Sequence, residues 1–152
     1  MSFAKLYLTD HASQQMWDED EKDIFFSYSE GQKIVARILA FSEELEYKKL
    51  ANQVNQVLLD VYDQYYEVYY CRSADFIKQK AFPVLRELIS KVQPIVNKML
   101  ALNIINKGSI PNFIFNPEPM EHKNIDFRRL AAVCYGLLTE LHSHEINRIF
   151  HV

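Results

Sequence analysis

Three glycines, Gly31, Gly108 and Gly136, are all that 152 residues contain, against an ordinary usage of about 7%. Sandwiches, barrels and Rossmann-type sheets need tight turns at regular spacing, and such turns draw on glycine. The scarcity therefore predicts an all-α chain with few connections. It also bears on chemistry. Neither a Gly-x-Ser-x-Gly elbow nor a glycine-rich phosphate or dinucleotide loop occurs, and each needs glycine where the backbone turns sharply or approaches a ligand.

The spacing of apolar residues agrees. A short first helix is predicted over about 11–23, capped by Thr9 or Asp10. A second follows, capped by Ser29, with Ile34, Ile38, Phe41 and Leu45 on one face. From Leu50 the pattern continues through Val54, Val57, Val61, Tyr65 and Val68 in steps of three and four, close to a heptad seam. Unbroken, this stretch would make a helix of about 40 residues and about 60 Å, too long for a domain with a radius of gyration of about 15 Å. A break is expected near Glu46–Lys49.

Ser73 reads as the next N-cap, with Asp75 in the first turn behind it. The stripe Ile77, Ala81, Val84, Leu88, Val92, Ile95 and Met99 follows, interrupted by Pro83 and Pro94. That predicts one kinked helix or two or three shorter ones, closed by Gly108 as a C-cap. Residues 108–124 hold three of the five prolines and read as a long Pro/Asn-rich loop, with Phe113, Ile114 and Phe115 pinning it to the bundle. A last helix begins near Asp126 and buries Leu130, Cys134, Leu137 and Leu141. The expectation is a single domain over 1–152, a bundle of about five to seven helices, with segments 34–71 and 73–106 at its centre.

Charge narrows the function. The net charge is −3, which excludes the basic footprint of a dedicated nucleic-acid binder. The first fifty residues carry 10 acids and 6 bases. Their excess is concentrated in Asp18, Glu19, Asp20, Glu21 and Asp23, beside Trp17. No run approaches the roughly 20 apolar residues of a membrane span, and the N-terminus has no signal-like apolar region. A cytoplasmic protein is expected, with Cys71 and Cys134 reduced and buried.

Two surfaces suggest contacts with another protein. One is the acidic run with its tryptophan, suited to steering a basic partner. The other is a tyrosine cluster, Tyr62, Tyr65, Tyr66, Tyr69 and Tyr70. At 100° per residue these rings cannot all face one core. Tyr65 fits the buried stripe, which leaves Tyr62, Tyr66, Tyr69 and Tyr70 for an interface. The expected function is non-catalytic protein binding without a cofactor: a toxin-neutralising, immunity- or antitoxin-like protein, or an adaptor, that acts by occlusion. Two other readings stand beside it. Glu140, His144 and His151 lie near one face of the last helix and are suitable ligands for zinc or iron, which would make a metal-dependent helical enzyme. A structural subunit of a larger assembly would use the tyrosine face.

Overall fold

The computed structural model describes residues 19–70, 72–117 and 124–150. They form an all-α bundle: α1 (Glu19–Phe41), α2 (Leu45–Tyr69), α3 (Ala74–Ala101), a 3-10 turn (Lys107–Ser109), the one-turn α4 (Asn112–Phe115) and α5 (Asn124–Phe150). No strand occurs among the described residues. None of their helices is long and apolar enough to cross a membrane.

The expected boundary between a helix ending near 23 and another capped by Ser29 does not exist. Ser29 and Gly31 lie inside α1, which runs unbroken to Phe41. Ile24, Ser27, Gly31, Val35 and Ile38 are buried along one of its faces. Gly31 is there for packing, not for a turn. A Cβ at this position would lie 2.6 Å from Leu58 Cδ2 and 3.4 Å from Leu138 Cδ1. Glycine costs a helix about 1 kcal/mol relative to alanine, but here it lets α1 approach both α2 and α5.

The turn into α2 comes at 42–44, slightly before the expected 46–49. No glycine or proline is needed there. Ser42 Oγ accepts the Glu44 N–H at 3.1 Å, so a side chain supplies the local hydrogen bond that ends one helix and starts the next. α2 then buries Leu50, Val54, Val57, Val61 and Val68, and also Ala51, Leu58 and Tyr65. These form two adjacent seams, because α2 packs on α1, α3 and α5. α5 likewise packs on α1, α2 and α3, so the centre is α2 with α5. α3 flanks it, and the most extensive helix pairing is α1 with α5.

Ser73 caps α3 as expected, accepting the Phe76 N–H at 3.1 Å. Pro83 and Pro94 do not divide the helix. Both are exposed, as are Gln79 and Ser90, whose carbonyls they free. Leu85, Leu88, Ile89, Val92 and Val96 are buried on the opposite side and hold the helix together across the interruptions. The expected C-cap at Gly108 is wrong by several residues. Asn103 takes the left-handed conformation at φ 59°. Its N–H bonds to Leu100 O at 3.0 Å, and the Ile104 N–H bonds to Met99 O at 2.9 Å. This is a Schellman motif with asparagine in the usual glycine place.

Contacts between helices set the topology. Asp23 meets Arg128, and Ser42 meets Glu145, so α1 and α5 are parallel. Tyr28 meets Tyr62 and Gln32 meets Asn55, so α2 is antiparallel to α1. Asp60 meets Lys91 and Glu46 meets Lys98, so α3 runs back alongside α1 and α5. Two successive long helices that point the same way need a crossover as long as the bundle. That is the task of the Pro/Asn-rich segment. The part of it that is described is not a bare loop. It holds α4, whose Phe113 and Ile114 are buried in the core, and Gln93 Nε2 donates to Ile114 O at 2.8 Å.

Candidate functional site

The N-terminal end of α1 and the C-terminal end of α2 lie side by side, and their side chains form one aromatic face. Tyr28 and Tyr62 stack with centroids 4.6 Å apart and planes 11° apart. Phe25 approaches Tyr62 at 6.0 Å, and Tyr66 meets the edge of Tyr62 at 5.2 Å. Tyr70 continues the row at 6.4 Å from Tyr66 and is exposed. Tyr65 and Tyr69 turn the other way. Both pack against Phe127 of α5, at 5.8 and 5.5 Å. The four expected interface tyrosines are therefore divided: Tyr62, Tyr66 and Tyr70 line the face, while Tyr69 leans into the core.

Carboxylates surround the rings. Burial pushes the Tyr62 phenol up, and the charges of Asp63 and Glu21 add to the effect. Glu21 therefore lies within electrostatic reach of the tyrosines. Asp23 faces α5 instead, where its carboxylate is 3.4 Å from Arg128 Nη1. Trp17 and Asp18 lie outside the described residues, as do the side chains of Glu19 and Asp20. On α2, Asp60 pairs with Lys91 at 3.3 Å and Glu67 with Arg72 at 3.5 Å. Asp63 has no ion pair among the described residues. Partial burial first, then the charges of Asp60 and Glu67, hold its carboxyl above the usual range.

Phe25, Tyr28 and Asp63 were not singled out from sequence. Their signal was present: Phe25 and Tyr28 are one turn apart on α1, and acids at 60, 63 and 67 alternate with the tyrosines. It becomes legible only when the two helices are paired.

The C-terminal histidines meet a different fate. Glu140 is exposed on α5, and His151 lies outside the described residues. His144 Nδ1 is 2.7 Å from the Tyr47 hydroxyl. The two share a hydrogen bond, and burial raises the Tyr47 phenol. Next to it, Glu145 is buried and accepts a hydrogen bond from Ser42 Oγ. Arg148 spans the outside, 3.6 Å from Glu44 and with its guanidinium 5.8 Å from the Tyr47 ring centroid. Ser42 is bonded to a carboxylate and to backbone, not to an imidazole. The cluster clamps the α1–α2 turn onto α5. No group of three or more His, Cys, Asp or Glu suited to a metal ion occurs among the described residues. Cys134 is a free, fully buried thiol whose pKa burial pushes up to about 12. It behaves as a core side chain. Cys71 lies outside the described residues. Comparison with protein-family models, curated proteins and solved structures finds no match to this chain.

Proposed function

We propose that this chain is a protein-binding protein whose contact surface is the acidic aromatic face of α1 and α2. Its partner is a basic protein, and its mode of action is occlusion, as in an immunity protein or antitoxin. The observation that carries the reading is the juxtaposition of Glu21 and Asp63 with the stacked pair Tyr28–Tyr62 and the neighbouring Tyr66. Aromatic rings with apolar bodies and polar tips suit the centre of an interface. A carboxylate crowded by like charges gains from an incoming cation, since an opposite charge favours its ionised form. An acidic rim also steers a basic partner and accelerates encounter.

The test compares the wild-type chain with the double variant Glu21→Lys, Asp63→Lys as immobilised bait. Proteins retained by the first and lost by the second are identified. The reading expects a basic protein whose capture weakens as salt rises, and whose association with purified wild type is at least about tenfold faster than with the variant. Equal capture by both baits, or a specifically retained acidic partner, rejects it. Reversal of Asp18, Glu19, Asp20 and Glu21 to lysine extends the same test to the rest of the acidic run.

A further inference from the structure

A cleft of about 370 Å³ lies between the crossover and the outer side of α5, within the usual size range of small-molecule sites. Ile110 and Phe113 form one wall, and Val133 and Leu137 form the other. Gly136 lies between Val133 and Leu137 on the α5 side.

The chain's glycines differ in why they are glycine. Gly31 is required by Leu58. Gly136 sits inside a 27-residue helix, no glycine among the described residues has a positive φ, and a Cβ at 136 would meet nothing within 4 Å. Glycine weakens a helix relative to alanine, and neither backbone nor packing repays that here. What its missing side chain does is keep the cleft open.

The charges at the cleft are unequal. Arg129 is already engaged: its Nη1 is 3.4 Å from the carboxylate of Asp126, whose side chain is 3% exposed, and its guanidinium lies 4.6 Å from the Phe113 centroid. The guanidinium charge is thus balanced by a carboxylate of its own helix. Glu140, eleven residues along α5 and so about 16 Å away, is exposed and has no ion pair among the described residues. The uncompensated charge at the cleft is negative.

From this we infer that the cleft binds a small organic cation, an apolar body of about ten heavy atoms bearing a protonated amine. The body packs between Phe113 and Leu137 over Gly136, and the amine pairs with Glu140. This site is separate from the acidic aromatic face and does not depend on it.

The experiment follows backbone amide shifts in proton–nitrogen correlation spectra of the full chain. The probes are phenethylamine, phenethyl alcohol as its uncharged analogue, and hydrocinnamate as the anion. The amine should shift amides of residues 105–113 and 129–140 and bind at least about fivefold more tightly than the alcohol, the effect of one charged contact at a partly exposed site. Glu140→Gln should bring the amine down to the level of the alcohol. Gly136→Leu, which favours the helix and so preserves the fold, should abolish binding of both. Amine binding no tighter than the alcohol, tighter binding of hydrocinnamate, or no shifts in these two segments overturns the inference. So does unchanged binding in either variant.

Discussion

The two ends of the bundle use the same residue types to opposite effect. At one end, Ser42, Tyr47, His144 and Glu145 answer one another across about a hundred residues of chain. Glu145 is only 4% exposed, yet its charge is held by a hydroxyl from the turn between α1 and α2. At the other end, Asp63 is exposed, the rings of Tyr62 and Tyr66 are half-buried, and Glu21 has one carboxylate oxygen buried beside them. There Asp63 is crowded by like charges without a cation opposite it. A buried carboxylate with a partner from another helix is part of the fold, because removing the partner leaves a desolvated group unsatisfied. A carboxylate beside its own kind, as Asp63 is, gains no attraction from its neighbours along the helix. Tyrosine divides in the same way: Tyr47 is bonded to His144 on another helix, whereas Tyr62 bonds to and packs against Tyr66, its neighbour on the same helix.

The comparison is sharpest where stability is measured. Glu145→Ala should destabilise the chain by about 2 kcal/mol, since it removes a buried hydrogen bond to a carboxylate and leaves the Ser42 hydroxyl only its contacts with Glu44. Urea unfolding with an unchanged slope checks it. A loss below half of that would mean that the clamp does not hold the α1–α2 turn.

Tyr47→Phe should cost about 1 kcal/mol, the value of one hydrogen bond. It should also shift the ring resonances of His144 without moving those of Tyr62.

The smallest effect has the opposite sign. Asp63→Asn should stabilise the chain by about 0.3–0.5 kcal/mol at neutral pH, because like charges three and four residues apart on a helix are destabilising by about that much. Asp63 has a raised pKa when folded, so the folded state holds its proton more tightly. The penalty is absent below the unfolded pKa. It grows as pH rises through the folded one and is complete above it. The stabilisation by asparagine should therefore fade below about pH 3. A destabilised Asp63→Asn would show that this carboxylate belongs to the fold and would erase the contrast between the ends.

Some of this was readable residue by residue. Ser73 announced a helix start because its side chain acts on the three residues that follow it. Leu130, Cys134, Leu137 and Leu141 announced a buried stripe because helical periodicity is local geometry. Both rest on interactions within a few residues, which is why the all-α class was legible from glycine scarcity and spacing. The errors have the opposite character. Ser29 looked like a helix start, and Gly108 looked like a helix end. Gly31 is explained only by Leu58 and Leu138, which approach from other helices. The end of α3 fell to Asn103, since asparagine also tolerates the left-handed conformation and Ile104, its neighbour, is buried.

The sites divide along the same line. Sequence brought out the acids near 20 and the tyrosines near 65 as two separate features. Antiparallel pairing of α1 and α2 brought Glu21 to the tyrosines, and it supplied Phe25 and Tyr28 as well. Glu140, His144 and His151 suggested a ligand set, but the Tyr47 that engages His144 lies about a hundred residues away. By itself, then, the sequence determined the helices and their buried stripes, because propensity, capping and periodicity act over one or two turns. The tertiary structure alone decided which glycine is structural, which carboxylate is buried and which rings share a face. Each of those depends on a side chain from a different helix.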